Sequence, residues 1–431
     1  MWSVYLDNNP LRAGSARALG VASRRAYHSP LAPLRARKVS KTALPGRRWV
    51  RIRNFMAGIS GTDLALVHLQ TDPSVGLMAL PRPSRTYLGR EVVGEVIDIG
   101  PEAEFLRVGD RVAYQLDQCC ATRDIEPPCR HCASGNYSIC ENRYLPGPQP
   151  IGGGWGDEMI LHERQLFLVP DGLADEQAAL LEPSAVALHA ALRHQPQPEE
   201  NVLVIGAGSI GLLTIQAVRV FAPQANVTVL ARHPFQVEMA TRMGATRMLY
   251  VEDGTAAVAR MTGGRHYRRR LGPELLVGGF DVIYDTVGSD TTMQQALQWV
   301  RGRGTIVQAG MRLERMHLDP TPIWDQEVNI CGAIGHGSES WPGGAGLASA
   351  WSADNGGRVS TFALAAALIR ERRLTPQRLV THRFPLREVR RAVEVARDKA
   401  THRSIKVLLD IRDVAMPSEA VEELQPVEAS E

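Results

Sequence analysis

The chain has 431 residues, of which 44% are hydrophobic and 22% charged, and its formal net charge is +3. This length exceeds one compact core of usual size and the composition is ordinary for a globular protein, which excludes a fibrous or wholly disordered chain and predicts two domains. Because basic residues are scattered among acids and no apolar stretch approaches the roughly 20 residues of a membrane-spanning helix, we expect a soluble protein with neither nucleic acid nor a membrane as a partner.

The N-terminal segment allows two interpretations. Its first 48 residues are rich in Arg and Ser and contain Asp7 as the only acid, which is the composition of an organelle transit peptide. The residues from Trp2 to Asp7, however, alternate like an opening strand, and Pro45-Gly46 leads directly into a strand predicted over 49–53. We favour the structured interpretation and keep a targeting segment as the alternative.

The first half of the chain has a sequence pattern typical of a β domain. From Val50 to about Val169, short strands such as those predicted over 91–99 and 109–112 alternate with Gly, Pro and Asp. Such spacing predicts an antiparallel, barrel-like arrangement.

Four of the six cysteines cluster in this half, and Cys119 is adjacent to the cluster whereas Cys331 is distant. In a large chain without a secretory apolar region, such a cluster indicates a metal site rather than a disulfide framework. We therefore expect a reducing compartment, most simply the cytoplasm. The clustered cysteines are Cys120, Cys129, Cys132 and Cys140.

From Asn201 onward, strands alternate with helices, which predicts a parallel sheet. The predicted strands are 202–205, 227–230, 281–284, 305–308 and 328–331. Helices are predicted over 361–373 and 386–400, and a last strand over 405–409. The basic run from Arg265 to Arg270 is interpreted as a solvated loop rather than a phosphate patch, and the acidic tail over 413–431 is expected to be disordered.

A glycine turn follows the first of these strands. Gly206 permits the tight turn, Gly208 lets the backbone approach a pyrophosphate, and Gly211 lets the following helix pack closely on the sheet. Ser209 and Ile210 begin that helix, whose free N–H groups favour phosphate charge. The strand before the turn and the helix within it predict a dinucleotide site, and a turn without ligand is the alternative.

The end of the second parallel strand decides between NAD and NADP. An NAD-preferring site places a carboxylate there, but this chain has Ala231, Arg232 and His233. A carboxylate would repel a 2′-phosphate, whereas Arg232 can pair with one through two parallel hydrogen bonds. We therefore expect NADP, with NAD as the alternative if Arg232 stacks on adenine.

Together these residues resemble the zinc-type medium-chain dehydrogenase/reductase superfamily, which includes alcohol, sorbitol, threonine and glucose dehydrogenases. The resemblance covers roughly residues 45–410 and rests on ordered motifs. These are Gly58-Ile-Ser-Gly-Thr-Asp63, Leu88-Gly-Arg-Glu-Val-Val-Gly94, Val108-Gly-Asp-Arg-Val112, the cysteine lobe, Leu181-Glu-Pro183 with His189-Ala190, the glycine turn, and Asp285-Thr-Val-Gly288.

The resemblance implies an α/β fold in which a GroES-like β-barrel catalytic domain accompanies a Rossmann domain with a doubly wound parallel sheet. We expect the catalytic domain at 1–195, completed by 336–412, and the Rossmann domain at 196–335. Further cofactor contacts are expected from Thr286, Val287, Gly288, Ala309 and Gly310. The segment from His336 to Trp341 is expected near the cleft, and the family commonly forms homodimers or homotetramers.

The resemblance also implies one structural zinc. Cys129-x2-Cys132-x7-Cys140 has the family spacing, and an insertion leaves eight residues between Cys120 and Cys129. We assign Cys120 as the first ligand, rather than Cys119 or Glu126. Four thiolates give a closed tetrahedral site with no position for substrate.

The catalytic zinc site departs from the family pattern. Relatives take a Cys and a His as ligands at the positions where this chain has Ser60 and Arg90. A neutral hydroxyl is a poor zinc ligand, and a guanidinium has no lone pair to give. Glu91 and Glu182 remain, but we expect them to form a salt-bridge cluster with Arg90, and we expect no catalytic zinc.

A side-chain cation is therefore expected to replace the metal. We expect Arg90 to occupy the region of the lost zinc, paired with Asp63 and with at least one of Glu91 and Glu182. In the zinc enzymes, a hydroxyl at the position of Thr62 passes the alcohol proton.

The leading functional hypothesis is hydride transfer between NADP(H) and a small carbonyl, alcohol or activated alkene, with Arg90 or Thr62 polarising the acceptor oxygen. The alternatives are a non-catalytic nucleotide-binding or scaffold protein with a decayed site and, less favoured, a zinc dehydrogenase with rearranged ligands.

Overall fold

The computed structural model describes residues 1–22, 27, 32–72, 74–75, 84–268, 270–271, 274–340 and 358–412. The tail over 413–431 and Trp341 lie outside the described residues. The chain divides into two compact units. The first unit comprises Met1–Cys129, Glu141–Leu180 and the chain from Val380 onward, and the second comprises Arg130–Cys140 and Leu181–Leu379.

The strands of the described residues are, in chain order, β1 (Trp2–Asp7), β2 (Leu34–Lys38), β3 (Trp49–Gly58), β4 (Arg85–Tyr87), β5 (Val92–Ile99), β6 (Arg111–Tyr114), β7 (Glu158–His162), β8 (Leu166–Leu168), β9 (Asn201–Ile205), β10 (Asn226–Ala231), β11 (Arg247–Tyr250), β12 (Arg265–Tyr267), β13 (Leu275–Val277), β14 (Phe280–Asp285), β15 (Val300–Gln308), β16 (Asn329–Gly332), β17 (Ser338–Ser340), β18 (Arg358–Ser360), β19 (Val380–Pro385) and β20 (Lys406–Asp410).

The α-helices of the same residues are α1 (Pro10–Ala22), α2 (Gly61–Val67), α3 (Arg130–Ala133), α4 (Asp175–Ala179), α5 (Leu181–Arg193), α6 (Ser209–Phe221), α7 (Pro234–Met243), α8 (Thr255–Thr262), α9 (Asp290–Trp299), α10 (Thr321–Asp325), α11 (Thr361–Arg370), α12 (Val389–Arg397) and α13 (Lys399–His402). None of the described helices is long and apolar enough to cross a membrane.

A seven-stranded sheet forms the body of the first unit. Its strands run in the order β19-β20-β3-β5-β6-β8, and β7 also pairs with β3. Every pair is antiparallel except β19 with β20, so the predicted antiparallel β region is confirmed. Val50, Ile52, Val93 and Val96 are fully buried, because β3 has partners along both edges and its apolar side chains form the core.

The N-terminal strand is present, and a helix follows it that the sequence analysis did not predict. β1 pairs antiparallel with β2 and with β4. The side-chain oxygen of Asn9 accepts a hydrogen bond from the Leu11 N–H at 2.9 Å and so begins α1. Among the side chains described over 10–20, this helix lacks an apolar stripe, because Ala16 is the buried one and Leu11 is exposed. Helical periodicity therefore gave no signal there.

The second unit contains the predicted parallel sheet. Its order is β11-β10-β9-β14-β15-β16, with β9 at the point where the strand order reverses. The central strands pair in parallel, for example at Val204 with Val229 and with Tyr284, and these three residues are fully buried. The doubly wound α/β fold class is therefore confirmed. The carboxyl ends of its parallel strands lie at one edge of the sheet.

Several predicted elements differ in detail. Arg265–Tyr267 is not a loop but strand β12, which pairs antiparallel with β13, and residue 269 of the same basic run lies outside the described residues. The helix predicted over 386–400 is divided into α12 and α13, because Asp398 leaves the helical conformation and its side chain accepts from the Thr401 N–H. The helix predicted over 361–373 ends at Arg370.

Candidate functional site

The glycine turn after β9 has the conformation that its sequence predicts. Gly206 has φ +96°, in the left-handed region that favours glycine. A Cβ atom on Gly211 would lie 1.9 Å from the Gly206 carbonyl oxygen, so the start of α6 packs directly on the turn. Gly208 is the N-cap of α6, and Ser209 and Ile210 form its first turn, whose N–H groups lack intrahelical partners.

The turn after β14 lies against the glycine turn. The buried Asp285 carboxylate accepts hydrogen bonds from the N–H groups of Val287 at 2.9 Å and Gly288 at 3.0 Å. Burial raises the pKa of this carboxyl, and these hydrogen bonds oppose the rise. The Thr286 hydroxyl donates to the Ile205 carbonyl at 2.8 Å, which fixes the turn against the end of β9.

The end of β15 completes the arrangement. The N–H groups of Ala309 and Gly310 donate to the Asp285 carbonyl at 2.9 and 2.8 Å. A Cβ atom on Gly310 would lie 2.3 Å from the Val287 carbonyl carbon, so only glycine fits there. The structure thus brings the predicted cofactor residues of three strand ends together at the switch point of the sheet, where open α/β sheets bind ligands.

Arg232 stands at the end of the neighbouring strand β10. Its side chain is exposed and makes no hydrogen bond or ion pair with the described residues, and Ala231 before it is buried. His233 is the N-cap residue of α7, and its ring stacks on Phe235 at a centroid distance of 5.6 Å. The guanidinium of Arg232 therefore remains available to an anion at the rim of the glycine turn.

In the first unit, Ser60 and Asp63 form a capping box at the start of α2. The Ser60 hydroxyl accepts from the Asp63 N–H at 3.1 Å and donates to Asp63 Oδ2 at 2.6 Å, and the Ser60 N–H donates to the same oxygen at 2.9 Å. The other oxygen, Oδ1, accepts from the Gly89 N–H at 3.1 Å. Asp63 therefore fixes two backbone segments, and its predicted pairing with Arg90 is wrong.

Arg90 points to the protein surface. Its Nη1 donates to both oxygens of Asp117 at 2.8 and 2.7 Å, and the Tyr114 hydroxyl donates to the same carboxylate at 2.8 Å. The Arg90 side chain is 54% exposed, which contradicts a buried guanidinium in place of zinc. Glu91, the next residue, is buried instead, so of these two residues before β5 the acid takes the interior and Arg90 the surface.

Glu91 pairs with a lysine that the sequence analysis missed. Lys406 Nζ lies 2.7 Å from both carboxylate oxygens of Glu91 and 3.3 Å from the Ile59 carbonyl, and both side chains are almost fully buried. A Cβ atom on Gly58 would lie 1.9 Å from Glu91 Oε2, so this glycine makes room for the pair. The signal for it was a lone cation in the apolar strand Ile405-Lys-Val-Leu-Leu409.

Two further predicted residues lie at helix starts. Thr62 is the second residue of α2, is exposed, and its hydroxyl has no hydrogen bond with the described residues. Glu182 is the second residue of α5 in the second unit and is partly buried. The pairing of Glu182 with Arg90 stays a prediction.

These side chains do not fit a catalytic zinc. The Ser60 hydroxyl is committed to Asp63, the Arg90 guanidinium is a cation, and both oxygens of Glu91 are taken by an ammonium group. Each of these three side chains thus lacks a lone pair or already has a partner.

The cysteine lobe does fit a metal ion. The four sulfur atoms of Cys120, Cys129, Cys132 and Cys140 lie within 4.8 Å of one another. Zn–S bonds of about 2.3 Å place the ligands of a tetrahedron about 3.8 Å apart, which these thiols reach with small adjustments. Among the described residues this is the one group of three or more potential ligands close enough to hold a metal, and Cys119 does not belong to it.

Two family models match the chain. The model of the alcohol dehydrogenase GroES-like domain matches residues 46–171, and the model of the zinc-binding dehydrogenase family matches residues 209–350. The chain is 29% identical over 286 residues to the sorbitol dehydrogenase of Bacillus subtilis, covering 66% of this chain and 74% of that relative. It is 32% identical over 296 residues to a probable diacetyl reductase, (R)-acetoin forming, of Saccharomyces cerevisiae, covering 64% and 67%.

Solved structures show the same fold. A candidate zinc-binding dehydrogenase of Sinorhizobium meliloti 1021, bound to NADP, superposes with a TM-score of 0.65 at 22% identity, covering 88% of this chain and 95% of that one. An alcohol dehydrogenase of Escherichia coli CFT073, complexed with NADH, gives 0.67 at 21% identity and covers 88% and 95%. At such identities the likeness concerns the fold alone.

Proposed function

The chain belongs to the zinc-type medium-chain dehydrogenase/reductase superfamily and is an oxidoreductase of that family, and we propose that it transfers hydride between NADP(H) and a small carbonyl or alcohol without a catalytic zinc. The observation that carries this proposal is the convergence of the glycine turn with the ends of β14 and β15, next to a strand end where Arg232 makes no hydrogen bond or ion pair with the described residues. Such a site holds a dinucleotide through backbone N–H groups and places its charge at a helix start.

When bound, the nicotinamide supplies the hydride or accepts it. The residues of this chain bind the pyrophosphate at Gly206–Gly211 and hold the rest of the cofactor against Thr286–Gly288 and Ala309–Gly310. We assign to the Thr62 hydroxyl the hydrogen bond to the reacting oxygen of the substrate, because it is exposed and has no hydrogen bond with the described part of the chain, whereas the Ser60 hydroxyl is bound to Asp63. Such a donor, fixed at the start of a helix, stabilises charge that develops on oxygen.

The relatives suggest the first compounds to test. One carries the name sorbitol dehydrogenase and another diacetyl reductase, so polyols with NADP⁺ and small diketones with NADPH are the starting set. Absorbance at the NADPH band should show turnover with at least one of these classes. Tight NADPH binding without turnover of any alcohol, ketone or enone would instead favour the non-catalytic nucleotide-binding alternative.

Cofactor choice is expected to depend on Arg232. NADPH should bind more tightly than NADH, and Arg232→Ala should weaken NADPH by about 10- to 100-fold while leaving NADH nearly unchanged, because a charge-assisted pair with the 2′-phosphate contributes about 1.5–3 kcal/mol. Fluorescence titration of both nucleotides measures this. Arg242→Ala, on the helix that follows, is the matched control and should change neither affinity. Equal affinities of the unaltered protein for NADPH and NADH would refute the preference.

We also propose that the cysteine lobe holds one structural zinc. Four thiolates leave no open position, so this ion binds no substrate and takes no part in hydride transfer. The thiols must stay reduced to bind it, which supports the cytoplasm as the location.

We propose a homodimer or homotetramer, built through the edge of β16 that pairs with no other strand of the described residues. This strand ends the six-stranded sheet and exposes Ile330, and Trp324 before it and Ile334 after it are also exposed. An apolar strand edge is open to pairing with a second copy of the same edge.

Light scattering should therefore give a mass of about two or four times 47.2 kDa. Ile330→Asp should halve it, because a buried charge opposes pairing. Leu271→Asp, at a position that is 90% exposed on the β12–β13 connection, serves as control and should leave the mass unchanged. A monomeric unaltered protein would contradict this assembly.

A further inference from the structure

The cysteine lobe contains an insertion that its metal site must tolerate. Eight residues, 121–128, separate Cys120 from Cys129, and Cys120 is fully buried. Lengthening the connection between two ligands raises the entropic cost of bringing them together. Contacts that hold Cys120 in place offset part of this cost.

Two N–H groups point at the Cys120 sulfur. The side-chain amide of Asn142 donates to Sγ with an N···S distance of 3.2 Å, and the Cys129 N–H donates to it at 3.4 Å. Donors on a sulfur stabilise its thiolate, the form that binds metal. Asn142 reaches Cys120 from beyond the last cysteine of the lobe, so its amide joins the two ends of the lobe.

The inserted segment itself holds the chain after Asn142. Arg123 Nη1 donates to the Pro146 carbonyl at 3.0 Å, and Nη2 donates to the Arg143 carbonyl at 3.4 Å. Gly147 has φ +154°, and a Cβ atom there would lie 2.7 Å from Arg123 Nη1, so glycine lets the guanidinium approach. The insertion thus carries a side chain that fixes the segment from which Asn142 projects.

We propose that Asn142 is a positioning residue of the metal site, holding the Cys120 thiolate, and that Arg123 braces Asn142 so that the lobe tolerates its insertion. The proposal rests on the structural zinc of the proposed function, because it assigns residues around that ion. It adds two residues of this chain that control how tightly the ion is held.

The test measures zinc release from the full-length protein to the coloured chelator 4-(2-pyridylazo)resorcinol. Asn142→Ala should speed release by about 10-fold or more, as loss of an outer partner of a metal ligand usually does. Asn142→Asp, which replaces the donating amide by a carboxylate, should do the same or more. Asn136→Ala is the matched control, since that amide donates to Ser134 Oγ at 3.0 Å and to no sulfur, and its release rate should equal that of the unaltered protein.

A second measurement separates positioning from general loosening. In the cobalt-substituted protein, removing an N–H donor from a thiolate raises the energy of the sulfur lone pair, so Asn142→Ala should move the sulfur-to-cobalt charge-transfer band to longer wavelength while Asn136→Ala leaves it in place. Arg123→Met should speed zinc release less than Asn142→Ala, and the double variant should release no faster than Asn142→Ala alone.

Unchanged release and an unchanged band in Asn142→Ala would overturn the proposal, as would equal acceleration in Asn136→Ala. If the unaltered protein holds no zinc, the structural zinc of the proposed function fails, and the proposal about Asn142 fails with it. Zinc in the unaltered protein with no effect of Asn142 refutes the positioning role alone.

Discussion

Lys406→Met is expected to lower the free energy of unfolding by about 3–5 kcal/mol, because removing one partner of a buried ion pair leaves the other charge uncompensated. Both oxygens of Glu91 lie 2.7 Å from the Lys406 ammonium, and neither side chain has appreciable exposure. Urea unfolding followed by circular dichroism measures the loss. Lys41→Met is the matched control, since Lys41 is 65% exposed in its pair with Glu158, and it should cost at most about 1 kcal/mol.

The loss in Lys406→Met should also depend on pH. Burial raises the pKa of the Glu91 carboxyl, and in the unaltered protein Lys406 opposes that rise. A carboxyl with a raised pKa in the folded state binds protons more tightly there than in the unfolded chain, so the free energy of unfolding falls as pH rises through that pKa. The free energy of unfolding of Lys406→Met should therefore fall further below that of the unaltered protein at about pH 8 than at about pH 5. Adding Glu91→Gln to Lys406→Met should recover much of the lost free energy of unfolding. A loss that depended neither on pH nor on Glu91 would contradict this explanation.

Thr62→Val is expected to lower kcat by about 10²- to 10³-fold, which is the usual effect of removing one donor to a developing oxyanion. The hydroxyl is exposed at the start of α2 and has no hydrogen bond with the described residues, so its loss should leave the melting temperature nearly unchanged. Steady-state kinetics with the best substrate from the polyol and diketone set, together with a thermal melt, measure both quantities.

Thr62→Ser is the control for this prediction, because it keeps the hydroxyl, and it should retain most of the activity. NADPH affinity should be the same in both variants, since Thr62 is not among the proposed nucleotide contacts at 206–211, 286–288 and 309–310. If Thr62→Val kept the kcat of the unaltered enzyme, a different group would have to polarise the substrate oxygen.

The geometry of the glycine turn was predictable because its requirements are local. Gly206 needs a left-handed φ and Gly211 must lack a Cβ atom, and both constraints act within six residues of chain. A strand before the turn and a helix after it have strong periodic signals, so the parallel sheet followed from them. The cysteine cluster could be predicted for the same reason, because the spacing of its residues is a local property of one lobe.

The environment of Arg90 was not predictable in the same way. Whether Arg90 or Glu91 points inward depends on which residue finds a partner inside, and that partner, Lys406, is 315 positions away in the chain. The family resemblance predicts that Asp63 accepts from Arg90 in place of the zinc-ligating His, but its oxygens instead accept from the nearby N–H groups of Ser60 and Gly89. Long-range pairs between single charges leave little trace in one sequence, apart from an isolated lysine in an apolar strand.

The measurement that tests the zinc-free mechanism most directly is the zinc content of the purified protein and of its Cys129→Ser variant, determined by elemental analysis beside NADPH-linked turnover. The unaltered protein should hold about one zinc ion per chain, because four thiolates form one closed tetrahedral site. Cys129→Ser should hold nearly none and should be less stable. A second tightly held zinc, or one that persists in Cys129→Ser and is required for turnover, would contradict hydride transfer without a catalytic metal.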